Sequence, residues 1–177
     1  MAAQKGTSNV LPSTGLVLIG IGMGTVEGLT LEAINAAKAA DHRWYEAYTA
    51  LWPGASLAVL EETVGPVERV MRPDVEAPER LFSLASTSLV ALLVVGDPLQ
   101  ATTHVDLQLR AIEHVIPCLV VHGISITNLV TGAVGLSNYR FGRQTTLTYP
   151  YGDWVATSPM EVLASNREQN LHTLALL

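Results

Sequence analysis

Cysteine is almost absent from the sequence: Cys118 is the single one among 177 residues. A lone cysteine cannot form a disulfide within the chain, and one sulfur cannot build a thiolate zinc site. This usage fits a reducing compartment, and we expect the protein to be cytoplasmic. The apolar neighbours of Cys118 predict a small buried side chain.

Positive charge is also scarce. Ten Lys and Arg residues stand against sixteen Asp and Glu residues, and the net charge is −6. The basic residues are scattered along the chain, whereas nucleic-acid binding normally needs a clustered basic face. We therefore expect no direct nucleic-acid partner.

Long apolar runs and familiar catalytic or metal-binding motifs are missing as well. The apolar run at residues 89–95 is far too short to span a membrane, and residues 1–14 lack the apolar core of a secretory signal. We predict that residues 1–14 form a flexible tail. The histidines have no metal-binding spacing and no G-x-S-x-G motif occurs, so we expect no metal and find no support for acyl hydrolysis.

What the sequence does contain is a regular alternation of strand and helix patterns, typical of parallel strands joined by crossover helices. The fully apolar run at residues 89–95 predicts a strand covered on both faces. In the helix that follows, Val105, Leu109 and Ile112 are spaced as on the core-facing side of a helix. The predicted strands are 16–19, 42–49, 67–71, 89–95 and 117–122, and the predicted helices are 30–41, 56–64, part of 73–86, 103–114 and 125–134.

The character of the sequence changes after Asn138, where apolar runs become shorter and Tyr, Thr and Gly more frequent. We place a domain boundary at residues 138–142. The predicted fold is an α/β domain at residues 15–140, with a mostly parallel sheet sandwiched by helices, followed by the start of a second, incomplete α/β domain at 141–177. In that second part we predict a strand at 145–149, a helix at 159–166 and a buried strand within LHTLALL.

Three polar or glycine-rich loops follow predicted strands, at residues 20–24, 96–104 and 122–128. Ligands of open parallel sheets collect at the carboxyl ends of the strands, so these loops form the candidate site. Asp97 either binds a ligand or hydrogen-bonds its own loop, and Thr102 and Thr103 either bind a ligand or cap the next helix. The spacing of Gly20, Gly22 and Gly24 matches neither a dinucleotide fingerprint nor a P-loop, and a tight structural turn explains it equally well.

Five segments resemble a known family when taken in order: LVLIGIGMG, EAYT, VVGDPLQATTH, NYRFG and NREQNLHTLALL. The resemblance is to the diphthine synthases, S-adenosylmethionine-dependent methyltransferases of diphthamide biosynthesis with a tetrapyrrole-methylase-like fold. It runs from about Gly15 to Leu177, and it implies a chain that stops before the second domain is complete.

The resemblance implies that S-adenosylmethionine is bound and S-adenosylhomocysteine released. The substrate would be the 3-amino-3-carboxypropyl-histidine of elongation factor 2, and the enzyme would form a homodimer or a larger complex, with no membrane association. No catalytic side chain is nominated. The implied cofactor contacts are Met23, Asp97, Gln100, Ser125, Ile126 and Leu177.

Two other hypotheses remain open from the sequence. A non-catalytic, truncated relative could serve as an interaction or assembly module. A different nucleotide-binding enzyme on a Rossmann-like sheet is the third possibility, which the glycine spacing disfavours.

Overall fold

A computed structural model describes residues 10–150 and 152–177. Most of the predicted tail, residues 1–9, lies outside the described residues. The chain forms two compact units that divide between Ser125 and Ile126. This division precedes the predicted boundary at 138–142, because the change in composition does not coincide with the change in packing. The assignment of folding domains stays a prediction, since contacts alone do not define them.

The first unit is built on a five-stranded parallel sheet, as predicted. Its strands lie in the order β3-β2-β4-β1-β5. The strands are β1 (Gly15–Gly20), β2 (His42–Glu46), β3 (Glu68–Val70), β4 (Leu89–Val94) and β5 (Cys118–Val121). The helices are α1 (Leu31–Ala39), α2 (Gly54–Val64), α3 (Arg72–Glu76), α4 (Glu79–Ala85) and α5 (His104–Glu113), with a short 3₁₀ turn at Val26–Gly28.

Helices cover both faces of this sheet, and this confirms the predicted fold class. Every residue of β1 and β4 is buried, and Leu18 pairs in register with Leu92. One core packs α1 and α2 against one face, and a second core packs α3, α4 and α5 against the other. Burial on both faces explains why these two strands are apolar throughout.

The connections create a switch point between the two central strands. From β1 the chain crosses through α1 to β2, on the far side of β4, and from β4 it crosses through α5 to β5, on the far side of β1. The helices that follow the loops after β1 and β4 therefore lie on opposite faces of the sheet. Such a crevice is the usual ligand position in open α/β sheets.

The strand predicted at 42–49 ends early, at Glu46. Oε1 of Glu46 accepts the backbone N–H groups of Tyr48 at 3.1 Å and Thr49 at 2.6 Å, which turns the chain out of the sheet. The helical segment within 73–86 is likewise two helices, α3 and α4, with Pro78 immediately before the second.

The predicted core face of α5 is wrong. Val105, Leu109 and Ile112 are 46%, 55% and 61% exposed. Instead, the side chains of His104, Leu107 and Ala111 are buried. The periodicity located an apolar stripe, but Leu107 and Ala111, on another face of the helix, are the residues that pack into the second core. By contrast, α1 begins as predicted, because Oγ1 of Thr30 accepts the N–H of Ala33 at 3.0 Å.

The second unit is smaller and more polar. It contains α6 (Ile126–Ala133), β6 (Thr145–Thr146), α7 (Ser158–Glu168) and β7 (Ala175–Leu176), with a short 3₁₀ turn at Asn138–Arg140. The two strands pair in parallel over only two residues. The prediction of a buried strand in LHTLALL is therefore wrong: β7 is half-exposed and Leu177 is 93% exposed, because β6 offers so short a partner.

One asparagine side chain connects separate segments of this second unit. Asn166 of α7 is buried, and its Oδ1 accepts the backbone N–H of Arg143 at 3.0 Å. Its Nδ2 donates to the carbonyl of Arg143 at 2.7 Å and to Oγ1 of Thr173 at 2.8 Å. The side chain thus satisfies the backbone of Arg143, between the direct backbone hydrogen bonds of His172 with Arg140 and Gly142 and the pairing of β6 with β7. A Cβ on Gly142 would lie 2.3 Å from Oδ1 of Asn166, so this position needs glycine.

Within residues 10–150 and 152–177, no helix combines the length and the apolar character needed to cross a membrane.

Candidate functional site

The loops after β1 and β4 are joined by backbone hydrogen bonds. The N–H of Gly96 donates to the carbonyl of Gly22 at 2.8 Å, and the N–H of Gly22 donates to the carbonyl of Gly96 at 3.2 Å. Gly22 and Gly96 have φ values of +75° and +79°, which other residues adopt only with strain. The glycines in these two loops are therefore needed by the backbone path itself.

The loop after β5 packs against the same junction. A Cβ on Gly123 would lie 2.3 Å from the carbonyl oxygen of Gly96 and 2.7 Å from the carbonyl carbon of Gly20. The three backbones approach too closely for any side chain at this point. The structure thus brings together all three loops that the sequence singled out at the strand ends.

Asp97 connects the second loop to the third. Its carboxylate is buried, with Oδ1 accepting the N–H of Leu99 at 2.9 Å. Oδ2 lies 2.8 Å from Nδ1 of His122 and accepts the N–H of Gly123 at 3.2 Å. Asp97 therefore bonds its own loop, as one of the two sequence alternatives held, and also fixes the loop after β5. These contacts orient the carboxylate and leave a ligand contact by Asp97 a prediction.

The other predicted contact residues occupy different environments. In the first unit Met23 is 43% exposed, Gln100 is exposed, and Ser125 is buried beside Gly96. In the second unit Ile126 is 40% exposed at the start of α6, and Leu177 is 93% exposed after β7. The structure therefore brings Asp97 and Ser125 to the junction of the three loops.

Sequence reasoning missed a buried polar pair beside this junction. Glu46 at the end of β2 and His104 at the start of α5 are each 1% exposed. Oε2 of Glu46 lies 3.8 Å from Nε2 of His104. The available signal was the position of both residues inside the segments EAYT and VVGDPLQATTH, which carried the family resemblance.

Burial sets the protonation of the groups around this pair. Burial lowers the pKa of His104 below its usual value, although Glu46 and the backbone carbonyl of Pro98 oppose the shift. Burial, followed by the nearby charge of Glu46, raises the pKa of Tyr48 to about 12. At neutral pH the imidazole of His104 and the phenol of Tyr48 are therefore both uncharged.

Cys118 and the threonines before α5 have structural surroundings. Cys118 is partly rather than fully buried, and burial raises the pKa of its thiol to about 11, so the thiol is protonated at neutral pH. Oγ1 of Thr102 accepts the backbone N–H of His104 at 3.3 Å and contacts its ring nitrogen Nδ1. Thr103 precedes α5 without a hydrogen bond from its side chain to the helix. Among the described residues, no three His, Cys, Asp or Glu side chains are placed to hold a metal ion.

An open parallel sheet whose strand-end loops meet beside its switch point defines the class of α/β proteins that bind small cofactors at this edge. A model of the tetrapyrrole (corrin/porphyrin) methylases matches residues 15–177. The chain therefore belongs to the tetrapyrrole methylase family.

Individual relatives are more specific. The diphthine synthase of Methanospirillum hungatei is 36% identical over 164 residues, covering 92% of this chain and 65% of that protein. The diphthine synthase of Methanocorpusculum labreanum is 38% identical over 164 residues, with the same coverage of both chains. A crystal structure of diphthine synthase superposes with a TM-score of 0.82 at 34% identity and covers 90% of this chain and 62% of that one. The chain thus spans 65% of the length of these two sequence relatives.

Proposed function

We propose that the protein is an S-adenosylmethionine-dependent methyltransferase that acts on the 3-amino-3-carboxypropyl-histidine of elongation factor 2, as a diphthine synthase. One observation carries the proposal: the loops after β1, β4 and β5 meet at one junction, in a chain similar over 92% of its length to diphthine synthases. The same activity places the protein in the cytoplasm, where elongation factor 2 works.

The loop junction fixes the positions of the candidate cofactor residues. Gly20, Gly96 and Gly123 bring the three loop backbones into direct contact, and a Cβ on Gly20 would lie 2.5 Å from the backbone nitrogen of Gly123. Met23 and Gln100 border it as exposed side chains of the first and second loops. We assign the cofactor contacts of the first unit to Met23, Asp97, Gln100 and Ser125, and those of the second unit to Ile126 and Leu177.

The reaction requires that the methyl donor and the substrate amine are positioned correctly, and it requires no nucleophile from the protein. When bound, S-adenosylmethionine would supply a methyl group on a sulfonium, and the neutral substrate amine would attack the methyl carbon in line with the departing thioether sulfur. The new N–C bond forms as the S–C bond breaks, its electron pair stays on sulfur, and the amine proton is released. Correct placement of two reactants supplies roughly 7–11 kcal/mol of the barrier in favourable systems. The chain's contribution is to hold the three loops in one arrangement, through Asp97 and the glycine contacts.

Binding and transfer are tested separately. Isothermal titration calorimetry with S-adenosylhomocysteine is expected to show one site per chain. Transfer of a labelled methyl group to elongation factor 2 that carries the unmethylated 3-amino-3-carboxypropyl-histidine then tests the activity. Binding without transfer would favour the interaction-module hypothesis, whereas absence of both would reject a methyltransferase. Binding of reduced nicotinamide nucleotide instead would revive the Rossmann-type hypothesis.

We also infer that the protein works as a homodimer. The support is the apolar stripe on α5, where Val105, Leu109 and Ile112 are about half exposed beside the strongly exposed Val115. Exposed apolar patches mark interaction sites, and a second copy of the chain is the occupant that the resemblance to the diphthine synthases implies. Sedimentation equilibrium is expected to give twice the chain mass, and Leu109→Glu is expected to shift the protein to monomer. A monomeric parent protein would contradict this inference.

A further inference from the structure

The loop between β4 and α5 is held at its two ends by buried polar side chains. At its start, Asp97 bonds to His122 and Gly123 of the loop after β5. At its end, His104 is buried against Glu46 at the end of β2. The segment between these anchors includes the exposed Gln100.

The arch between the anchors is strained. Ala101 has φ of +56°, in the left-handed region, which costs a residue with a Cβ roughly 1–2 kcal/mol. A strained conformation persists only when its surroundings determine it. The arch has a short turn of its own, from the N–H of Gln100 to the carbonyl of Asp97 at 3.2 Å, and Leu99 packs on the second core. The buried His104 constrains its other end.

The carboxylate of Glu46 favours one tautomer of neutral His104. Oε2 of Glu46 lies 3.8 Å from Nε2, so a ring proton on Nε2 faces a negative charge, and the hydroxyl of Thr102 can then donate to Nδ1. Nε2 itself has no hydrogen-bond partner. The other carboxylate oxygen of Glu46 is already bonded to the turn after β2.

A buried donor and a buried carboxylate are costly, and an apolar pair of similar size would serve packing at least as well. The pair therefore requires a role other than packing. We propose that Glu46 and His104 are positioning residues that hold the loop of residues 96–104 in the strained arch that binds the cofactor. This deepens the proposed function and rests on it for the identity of the cofactor.

The first experiment measures hydrogen exchange without any ligand, so it does not depend on the proposed function. In His104→Leu, which removes the donor, peptides covering residues 96–104 are expected to exchange about tenfold faster, while those covering α1 keep their rates. His104→Gln keeps an N–H donor near Nε2 and is expected to restore slow exchange. His114→Leu, at the other end of the same helix, is the matched control and is expected to leave the loop unchanged.

Glu46→Gln is the second variant, used in case His104→Leu fails to fold. Glu46→Gln removes the carboxylate charge that faces Nε2 of His104, so the loop is expected to exchange faster as in His104→Leu. Unchanged loop exchange in Glu46→Gln or His104→Leu, or equal effects of His104→Leu and His104→Gln, would overturn the positioning role.

The second experiment is titration with S-adenosylhomocysteine. His104→Leu and Glu46→Gln are each expected to lower the affinity about tenfold, with His104→Gln close to the parent. A parent protein that binds no S-adenosylhomocysteine would reject the proposed function, and the exchange data would still decide whether the pair positions the loop. Faster loop exchange with unchanged affinity would overturn the link to the cofactor.

Discussion

The two units of the chain are stabilised in different ways. The first buries apolar side chains on both faces of a parallel sheet, and β1 and β4 expose nothing to solvent. In the second, the buried residues among those described are only Thr127, Pro159, Val162 and Asn166. Non-directional burial therefore dominates the first unit, whereas directed hydrogen bonds from one asparagine order the second.

This difference bears on how each unit responds to substitution. An apolar core distributes its stability over many contacts. A strained backbone conformation in a connecting loop therefore costs only a small part of the total stability. The second unit has few buried side chains and therefore a smaller reserve. The strained arch at Ala101 and the glycine junction lie in the first unit, in loops that follow strands of the buried sheet.

The largest expected effect is on the core of the first unit. Leu92→Ala removes a fully buried side chain at the centre of β4 and is expected to cost about 2–5 kcal/mol of unfolding free energy. Urea denaturation followed by circular dichroism measures it. Leu31→Ala, at the exposed first position of α1, is the control, expected within about 0.5 kcal/mol of the parent. Equal losses in both variants would mean that burial in the sheet does not set the cost.

A smaller effect is expected at the loop junction. Gly123→Ala places a Cβ 2.3 Å from the carbonyl oxygen of Gly96 and is expected to cost about 1–3 kcal/mol. Under the proposed function it also removes binding of S-adenosylhomocysteine, measured by calorimetry. Gly132→Ala, in α6 with open space around it, is the matched control and is expected to stabilise its helix by about 0.5–1 kcal/mol. Binding retained by Gly123→Ala argues against a cofactor at the junction.

The third prediction separates the units directly. Asn166→Asp replaces the Nδ2 donor with an oxygen that faces the carbonyl of Arg143, at a local cost of about 1–3 kcal/mol. Hydrogen exchange is expected to rise in residues 140–146 and 171–176 and to stay constant in β1 and β4. Ser165→Ala, an exposed neighbour on α7, serves as the control. A matching rise in β1 would show that the units unfold together.

Much of the first unit was predictable because its elements have local signals. Continuous apolar runs located β1 and β4, and Thr30 marked the start of α1. The three loops followed, since parallel strands bring their carboxyl ends to one edge. The turn at Glu46 was not predictable, because it depends on a buried carboxylate whose partners are backbone N–H groups rather than a residue pattern.

Other features depended on tertiary contacts that no periodicity encodes. The stripe of Val105, Leu109 and Ile112 has the spacing of a core face, yet His104 and Ala111 occupy the core. In the second unit, β6 and β7 are each two residues long, which is too short for an alternation of polar and apolar residues to be recognised. The structural role of Asn166 leaves no mark in the amphipathic pattern of α7. The domain boundary predicted from composition also lies beyond α6, because composition does not show which segments pack together.

The smallest expected effect concerns pH and belongs to the first unit alone. Burial depresses the pKa of His104 in the folded state below its unfolded value near 6.5, so the unfolded state binds the proton more tightly. The stability from neutral His104 is complete above pH 6.5 and is lost as the pH falls towards the folded pKa, with a slope of at most about 1.4 kcal/mol per pH unit for one proton. Comparing urea midpoints of the parent and His104→Gln between pH 7.5 and 5.5 isolates this contribution, because the two proteins differ only at residue 104. The parent is expected to lose stability faster than His104→Gln as the pH falls. Parallel slopes would show that Glu46 compensates the burial of His104 fully, and the neutral tautomer assigned here would then be wrong.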